Sequence, residues 1–456
     1  MPIKGTDIVK KLPEGGKKNC KECGFPTCFA FAMKLASAGT TLDKCLYLSF
    51  EVKTELEDAL APAIKLVTIG SGKAALQIGN EEVMYRHDKT FVHQPGIALL
   101  ISDKESESKI EEKIRKIKEL HFERVGLTLR ANLLALHFES GDRDRFAALV
   151  KRVYRDTDLG MILISEDMES LFLARDLCAD RKPLLYPITK ENIEKAIPRI
   201  KKSPTPIGVR AGSIEELIPM TSRLKEEKID EVVLDPGSKG LMEGIRDQTF
   251  IRRAAIKQNF RPLGYPTISF SCFVAKDGLR ELLTAAAFTI KYAGIIVLSD
   301  MDKYSLLPLL VQRLNIYTDP RMPMAVEQKV YQIGEPNEES PVLITSNWAL
   351  TYFIVSSEIE SSKVPSFLCV KDTEGLGVLT GWAAGKFVAD AIAPFIKKSG
   401  IADRVKNRTL VIPGKVARIR GELEEALPDW KIIVGPREAS EIPAFLPAFA
   451  AKLKTG

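Results

Sequence analysis

The sequence predicts an α/β protein in three parts: a small N-terminal domain, a central (β/α)8 TIM-like barrel and a C-terminal doubly wound, Rossmann-like domain. Four of the seven cysteines lie within the first 45 residues, which sets that segment apart. Apolar runs of strand length then alternate with stretches of helical period, which is typical of a buried parallel sheet. A polar break at 334–341 separates this series from a second, shorter series of the same kind.

The central series is long enough to form a complete barrel. Its apolar runs are GIALLIS at 96, RVGLTL at 124, LLALHF at 133, GMILIS at 160, PLLYPI at 183, PIGVRA at 206, EVVLDPG at 231, YPTISFS at 265 and GIIVLSD at 294. Amphipathic stretches such as 109–120 and 142–154 follow most of them. Such a series over about 230 residues suits a (β/α)8 barrel, for which about 250 residues is typical. An open doubly wound sheet is the competing topology.

The C-terminal series is shorter, with apolar runs PVLIT at 341, SFLCV at 366, TLVIP at 409 and KIIVG at 431. Helical segments fill the intervals, which favours a small doubly wound domain. The predicted divisions are residues 1–60 for the cysteine-rich domain, 61–92 for a linker with short β-structure, 93–322 for the barrel and 323–456 for the C-terminal domain.

Composition narrows the class of protein. The net charge of +6 comes from 66 basic and 60 acidic residues mixed along the chain, so no nucleic-acid partner is expected. The first 18 residues are polar, unlike a signal peptide, and no apolar run reaches the ~18–20 residues of a membrane span. We therefore expect a cytoplasmic protein with no membrane association.

The N-terminal cysteines have the spacing C-x2-C-x4-C-x16-C, and they are Cys20, Cys23, Cys28 and Cys45. Two thiolates in a tight loop, a third after a turn and a fourth from a later element can converge on one cluster. Gly24 allows close backbone approach, and Thr27 begins a helix whose dipole favours negative charge beside Cys28. Structural zinc is the alternative, but zinc ribbons usually carry two C-x2-C pairs and this segment has one. The spacing predicts a [4Fe–4S] cluster.

Small polar residues and glycines follow the predicted C-terminal strands, where doubly wound sheets bind ligands. The candidate binding residues are Thr345, Ser346, Asn347, Thr351, Thr373, Glu374, Gly375, Leu376, Gly377, Val378, Thr380, Gly414 and Gly435. They leave a shallow floor on which a large planar ligand can approach the backbone. Gly375-x-Gly377 is not a dinucleotide fingerprint, and ordinary turns and helix N-caps are the alternative reading.

Three stretches carry a resemblance to a known family: CKECGFPTCFAFAMKLASAGTTLDKC at 20–45, SNWALTYF at 346–353 and KDTEGLGVLTGWAAGKF at 371–387. Together with the barrel-sized middle, they resemble the large (gamma) subunit of the corrinoid iron–sulfur protein of the acetyl-CoA decarbonylase/synthase system. The resemblance extends over essentially the whole chain. It implies that the C-terminal domain binds a cobamide, that is, a cobalamin-type corrinoid.

The resemblance also implies a function, that of a methyl-group carrier subunit within a transferase system. The Co(I) corrinoid would accept a methyl group from a methyl-tetrahydropterin through a methyltransferase and deliver it to acetyl-CoA synthase. The [4Fe–4S] cluster would reductively reactivate Co(II). The implied partners are a smaller corrinoid-protein subunit in a heterodimer, the pterin-dependent methyltransferase, and acetyl-CoA synthase/CO dehydrogenase.

Histidine is absent from the C-terminal part of the sequence, since the four histidines are His87, His93, His121 and His137. A corrinoid domain that gives an imidazole to cobalt needs a histidine after its first strand, and this one has none. We therefore expect a base-off cobamide without a protein ligand, which makes the metal easier to reduce. This absence agrees with the family.

Polar residues also end the predicted barrel strands, namely Ser102, Glu139, Ser165, Asp235, Ser269 and Asp300. Barrel enzymes place catalytic groups there, but helix N-caps are the favoured interpretation, because the resemblance gives the barrel a docking role. No catalytic residue is therefore predicted. Two alternatives stay open: an iron–sulfur electron-transfer protein without corrinoid, and a barrel that itself binds methylpterin through Asp235 or Asp300.

Overall fold

The computed structural model describes residues 4–37, 39–124, 127–275 and 277–455, and these fall into two compact units. The described residues of 1–122 and 129–318 form the first unit, and those of 123–128 and 319–456 form the second. Each unit has its own hydrophobic core. No helix in the described part of the chain is both long enough and apolar enough to cross a bilayer.

The N-terminal segment of the first unit is helical. It contains α1 (Gly5–Lys11), α2 (Pro13–Gly16), α3 (Cys28–Ala36) and α4 (Phe50–Leu60). Glu14 and Gly15 have φ angles of 57° and 64°, so α2 is a turn rather than a regular helix. Ile8, Phe31 and Leu56 are fully buried in a small core against which the cysteine-bearing loops pack.

The strands that follow are β1 (Val67–Ile69), β2 (Leu76–Ile78), β3 (Gly96–Ser102), β4 (His121–Arg124), β5 (Leu127–Arg130), β6 (Leu133–His137), β7 (Gly160–Ile164), β8 (Leu184–Ile188), β9 (Ile207–Arg210), β10 (Val232–Asp235), β11 (Ile268–Phe270) and β12 (Ile295–Leu298). Their burial is near complete from β6 to β12. Such continuous apolar strands need cover on both faces, which a barrel with outer helices supplies.

In the described residues, eight parallel strands form one sheet in the order β10-β9-β8-β7-β6-β3-β12-β11. Its two end strands meet through a parallel bridge between Leu234 and Thr267. The amide of Leu234 also donates to the carbonyl of Pro266 at 2.8 Å. These contacts nearly close the sheet, so the barrel prediction is confirmed and the open-sheet alternative is wrong for this segment.

Helices surround the barrel, and their buried side chains form the main core with the outward-facing strand residues. They are α5 (Glu107–Glu119), α6 (Arg143–Asp156), α7 (Met168–Asp176), α8 (Ile193–Lys202), α9 (Ile214–Glu226), α10 (Leu241–Lys257), α11 (Ser271–Val274), α12 (Gly278–Ile290) and α13 (Lys303–Tyr317). Inside the barrel a second core of Ala, Ile, Leu and Val side chains fills the space between the strands.

The run RVGLTL at 124 does not form a barrel strand. Residues 121–124 and 127–130 pair instead as a separate two-stranded sheet, β4 with β5. Val125 and Gly126 lie outside the described residues. Leu129 is buried but Leu127 is 50% exposed, so the run buries too little apolar surface to serve as an interior strand.

The hairpin of β1 and β2 lies within the segment 61–92 that the sequence analysis assigned to a linker. Val67, Ile69 and Ile78 are fully buried against the interior side chains of the barrel. The amide of Gly70 donates to the carbonyl of Lys182 at 3.0 Å, just before β8 begins. The hairpin therefore packs into the amino-terminal end of the barrel.

The second unit contains an open five-stranded sheet of order β13-β15-β14-β16-β17 in the described residues. Its strands are β13 (Val330–Ile333), β14 (Val342–Ser346), β15 (Ser366–Lys371), β16 (Thr409–Ile412) and β17 (Lys431–Val434). All pairs are parallel except that β13 runs antiparallel to β15 at the edge. The helices are α14 (Ala349–Ser361), α15 (Val378–Ala383), α16 (Ala389–Lys398), α17 (Arg420–Ala426) and α18 (Ile442–Thr455).

Both faces of this sheet are covered. Ile392 and Leu423 belong to a core on one face, and Ile359 and Leu446 belong to a core on the other. Because β14 to β17 are parallel, their carboxyl ends meet at one edge of the sheet. The loops that begin after these strands therefore lie side by side.

Candidate functional site

The loop before α3 presents the first three cysteines around a helix start. Thr27 is the N-cap of α3, and its hydroxyl accepts from the amide of Ala30 at 3.1 Å. Cys28 is the first residue of the helix, and its amide donates to the Asn19 side chain at 2.8 Å. Gly24 has a φ of 82°, a conformation that favours glycine. The predicted helix start at Cys28 is confirmed.

Cys45 interacts electrostatically with the other three N-terminal cysteines. Burial raises the pKa of the Cys45 thiol, and the nearby thiolates of Cys23, Cys28 and Cys20 raise it further, while the Tyr47 amide lowers it. Cys28 is buried and the other three are half-buried. Within the described residues, no group of three or more His, Cys, Asp or Glu side chains is arranged to hold a single metal ion.

In the second unit, an apolar slot of about 370 Å³ opens at the carboxyl edge of the sheet. One wall is formed by Trp348, the residue before α14, and by Ile354 of that helix, and another is the start of α15 at Val378. The slot is lined by Leu343, Ile344, Thr345, Trp348, Thr351, Ile354, Val355, Gly377, Val378, Leu379, Thr380, Val411, Ile412, Pro413, Lys415, Gly435, Pro436, Arg437, Glu438, Ala439 and Ile442. It is a pocket at the edge of the sheet where α/β proteins bind ligands.

The predicted binding residues divide into two groups around this slot. The residues that line it are Thr345, Thr351, Gly377, Val378, Thr380 and Gly435. The residues that do not line it are Ser346, which ends β14, and, in the segments that follow the strands, Asn347, Thr373, Glu374, Gly375, Leu376 and Gly414. Gly414 is tightly packed, because an added Cβ would lie 2.6 Å from the carbonyl oxygen of Gly435.

Two buried hydroxyls at the end of β14 have no hydrogen-bond partner. They are the side-chain oxygens of Thr345 and Ser346, whose residues are 1% and 0% exposed. A buried polar atom without a partner costs roughly 1–3 kcal/mol, so such atoms in a native fold need an explanation. Hydroxyls at this edge can donate to or accept from the amide groups of a bound ligand.

The Asn347 side chain joins the ends of two strands. Its carboxamide oxygen accepts from the amides of Thr373 and Gly375 at 2.9 and 3.0 Å. Its NH2 group donates to the Asp372 carboxylate at 2.8 Å. Asn347 is 4% exposed, so the residue predicted as a ligand contact has its polar atoms engaged within the protein.

The polar residues at the ends of the barrel strands are not helix N-caps, so the favoured interpretation of those six was wrong. The side-chain caps of the following helices are Ser106, Asp142, Asp167, Ser213, Asp277 and Asp302. The loops after the strands are long enough to place the cap several residues later. Asp300 pairs with Lys116 at 3.1 Å, and Ser269 accepts from Gln248 at 2.7 Å.

Inside the barrel mouth, Tyr186 donates its hydroxyl to the buried carboxylate of Asp235. Burial raises the pKa of Asp235, while the hydrogen bonds from Tyr186 and Gly237 lower it. His137 lies nearby, with its Nδ1 3.6 Å from Glu139, and burial lowers the pKa of its imidazole. Asp235 and Asp300 follow strands separated by β11, so they belong to different parts of the barrel rim.

Comparisons with known proteins cover the whole chain. The chain is 43% identical to the corrinoid/iron–sulfur protein large subunit of Moorella thermoacetica over 445 residues, 98% of each chain. The chain belongs to this large-subunit family. It is also 36% identical to the acetyl-CoA decarbonylase/synthase complex subunit gamma of Methanopyrus kandleri, over 97% of each chain. The family resemblance inferred from the sequence is confirmed.

Two family models match as well. One is described as the CO dehydrogenase/acetyl-CoA synthase delta subunit and matches residues 66–446, while a model for an Fe–S cluster matches residues 16–47. Among solved structures, the 7,8-dihydropteroate synthase of Vibrio fischeri aligns with 56% of the chain and 99% of its own length. Its identity is 14% and its TM-score is 0.37, too low to support an argument.

The sequence analysis did not predict several of the residues that line the slot. Trp348 directly precedes α14, Ile354 lies on that helix, and Lys415 and Arg437 lie in the segments after β16 and β17. Trp348 could have been predicted, because it is a large aromatic residue directly after the end of a strand. Ile354 could not have been predicted, because its 45% exposure on an apolar helix depends on how the helix packs in the folded unit.

Proposed function

We propose that this chain is a corrinoid methyl carrier whose second unit binds a cobamide in the base-off state. The apolar slot at the carboxyl edge, beside two unpartnered buried hydroxyls, is the observation that carries this proposal. When bound, the corrinoid supplies a reducible cobalt that accepts a methyl group from a methyl-tetrahydropterin, through a methyltransferase, and passes it to acetyl-CoA synthase.

The residues present fit such a ligand. The slot has the apolar lining and the depth to take the aromatic base of a displaced nucleotide. Thr345 lines the slot, and its buried hydroxyl without a partner offers a hydrogen-bonding group to a ligand there. Gly435 and Gly377 at the rim have no side chain that would lift a planar ring from the backbone.

The chain supplies no imidazole to cobalt from this unit, because no histidine follows His137. Without a strong protein donor on its lower face, the metal is easier to reduce, since axial ligation tunes the potential. The residues of the slot therefore bind and orient the ligand without coordinating it.

The N-terminal cysteines are the proposed ligands of a [4Fe–4S] cluster that reductively reactivates the cobalt. Cys20, Cys23 and Cys28 surround the start of α3, whose amides and dipole favour the negative charge of a thiolate cluster. Cys45 approaches from the 3-10 turn at Leu42–Lys44. Cluster potentials span roughly −700 to +450 mV, so a low-potential centre is chemically available.

The proposed partners follow from the family. The names of the relatives, a large subunit and a subunit of an acetyl-CoA decarbonylase/synthase complex, describe members of multi-subunit systems. For this chain we propose a heterodimer with a smaller corrinoid-protein subunit. The pterin-dependent methyltransferase and acetyl-CoA synthase/CO dehydrogenase are the proposed donor and acceptor partners.

Anaerobic purification with metal analysis tests the proposal. We expect one cobalt per chain, a base-off optical spectrum and about four iron atoms per chain. Cys28→Ala should lose the iron and keep the corrinoid, whereas Cys178→Ala, at a fully buried thiol of the barrel unit, should keep both. A chain that holds iron but takes up no corrinoid would overturn the carrier function and leave an electron-transfer protein.

The methylpterin alternative for the barrel has a separate test. Calorimetric titration of the full chain with methyl-tetrahydropterin measures any binding directly, and Asp235→Asn removes the buried carboxylate that would hold the ring. We expect no heat of binding for either chain, because the Asp235 carboxylate is engaged by Tyr186 and Gly237.

A further inference from the structure

We infer that Asn347 is a positioning residue, which holds the loop 372–376 in place as the floor for the corrinoid macrocycle without contacting the ligand. This inference rests on the proposed function. All four side-chain hydrogen bonds of Asn347 are made with Asp372, Thr373 and Gly375 of that loop, and they tie the end of β14 to the end of β15. The residue thus acts through the loop.

Both polar atoms of the Asn347 carboxamide are bonded to the loop. Its oxygen accepts from the backbone amides of Thr373 and Gly375, and the Thr373 hydroxyl lies 2.9 Å from it. Its NH2 group donates to Asp372. With 4% of the residue exposed and both polar atoms bonded to the loop, the side chain is directed to the loop rather than to a ligand.

The backbone of the loop 372–376 is strained and needs the hydrogen bonds from Asn347. Glu374 and Gly375 have φ values of 57° and 75°, and a left-handed glutamate costs free energy that surrounding contacts must offset. The Asp372 carboxylate accepts from the Glu374 amide at 2.8 Å, so Asn347 and Asp372 brace the strained turn from both sides. The Thr373 hydroxyl closes it by donating to the carbonyl of Leu376 at 2.6 Å.

The loop 372–376 lies beside the slot. Gly377 ends the loop and also lines the slot, and an added Cβ there would lie 3.0 Å from the Trp348 ring. Gly375 packs on the preceding segment, where an added Cβ would lie 2.8 Å from the carbonyl oxygen of Pro323. The loop is therefore fixed on two sides, and Asn347 sets its height at the carboxyl edge.

The side-chain chemistry explains why this position needs an amide. Alanine would leave the Thr373 and Gly375 amides buried without acceptors. Aspartate keeps both acceptor bonds but places a carboxylate 2.8 Å from that of Asp372, where like charges repel. The exchange N347D/D372N removes this repulsion and restores a donor–acceptor pair with the polarity reversed.

The test measures dissociation constants of the full-length chain, freed of corrinoid, for cobalamin and for cobinamide, which lacks the nucleotide. Tryptophan fluorescence provides the signal, since Trp348, Trp382 and Trp430 all lie in the second unit. The variants are N347A, N347D and N347D/D372N. The control is Asn337→Ala, which removes a comparable loop-ordering side chain before the amino end of β14.

We expect N347A and N347D to weaken the binding of both ligands about 10–100-fold, the range seen when residues that support metal ligands by hydrogen bonds are lost. The ratio of the two dissociation constants should stay unchanged, because the macrocycle is common to both ligands. A merely structural loosening of the slot would change that ratio by weakening cobalamin alone. The double exchange should regain at least tenfold over N347D at an equal thermal midpoint.

The outcomes separate the two proposals. If the unaltered chain binds neither ligand, the proposed function fails. If it binds both and N347A and N347D bind within threefold of it, or weaken cobalamin only, the positioning role is wrong and the proposed function stands. Equal weakening by the Asn337→Ala control would likewise overturn the positioning role.

Discussion

Arg252 carries a guanidinium into the interior of the barrel unit and ties the hairpin segment to it. Its side chain is 4% exposed and donates to Glu81, itself 7% exposed, at 2.9 Å. It also donates to the carbonyl of Val83 at 3.0 Å and lies 4.6 Å from the centre of the Phe91 ring. One residue of α10 thus fixes the segment that follows β2.

Replacing Arg252 with methionine should destabilise the first unit by about 3–5 kcal/mol, because it leaves the Glu81 carboxylate buried without a counter-charge. Adding Glu81→Gln should recover part of this loss by removing that charge. The measurement is urea unfolding followed by circular dichroism. Arg115→Met, in an ion pair whose side chains are 61% and 60% exposed, is the control and should cost at most about 1 kcal/mol. Equal costs for the two substitutions would contradict the prediction.

We expect His137 to make the stability of the barrel unit depend on pH. Burial lowers the pKa of its imidazole below the usual 6.5, against the opposing effect of Glu139 and Asp103. As pH falls below about 6.5, the unfolded chain takes up a proton that the folded chain binds less readily. The free energy of unfolding therefore decreases until the lowered pKa is passed.

His137→Gln should flatten this decline, and unfolding midpoints in urea between pH 7.5 and 5 measure it. His87→Gln is the control, since the His87 side chain is 74% exposed. It should keep the slope of the unaltered chain. An unchanged slope in His137→Gln would show that the decline comes from other groups.

At the scale of elements, the hairpin of β1 and β2 is part of the barrel core rather than a free connection. Ile78 is fully buried, whereas Leu66 in the same segment is 40% exposed. A linker would tolerate truncation at either position. Packing against the strand interior makes the two positions unequal.

Ile78→Ala should therefore destabilise the first unit by about 2–5 kcal/mol through lost burial and the cavity left behind. Leu66→Ala should cost about 1 kcal/mol or less, since exposed substitutions have small effects. Thermal unfolding by circular dichroism compares the two. If both cost the same small amount, the hairpin does not contribute to the barrel core.

At the scale of the whole molecule, the two units should report their ligands separately. All three tryptophans lie in the second unit, so their fluorescence follows that unit alone. A ligand that binds only the folded state stabilises it by RT ln(1 + [L]/Kd), or about 2.7 kcal/mol at 100 times Kd. The proposed corrinoid and cluster sites lie in different units.

Cobalamin at 100 times its Kd should raise the unfolding midpoint seen by tryptophan fluorescence. Removing iron with a chelator should leave that midpoint unchanged, while it lowers the stability of the N-terminal helices seen by circular dichroism. Scanning calorimetry of the full chain measures the same unfolding transitions without relying on either optical signal. A fluorescence midpoint that follows iron instead of cobalamin would contradict this assignment of ligands to units.

The family, the alternation of strands and helices in both series, and the helix start at Cys28 could all be predicted from the sequence alone. These depend on local chemistry: spacing of apolar residues, an N-cap threonine, and fixed intervals between cysteines. The carboxyl-edge position of Thr345 and Gly435 also followed, because parallel strands end together. The residues that would act there were predictable as a set of loops.

The tertiary structure is needed to tell which of those residues line the slot and which hydrogen-bond to their neighbours. Asn347 has a side chain suited to either role, and its hydrogen bonds to residues 25–28 positions later support the positioning role proposed above. The barrel rim shows the same limit, since Asp235 bonds to Tyr186 of another strand and Asp300 pairs with Lys116 of α5, instead of capping the helices that follow. Contacts between segments distant in the chain are set by packing, which no local pattern records.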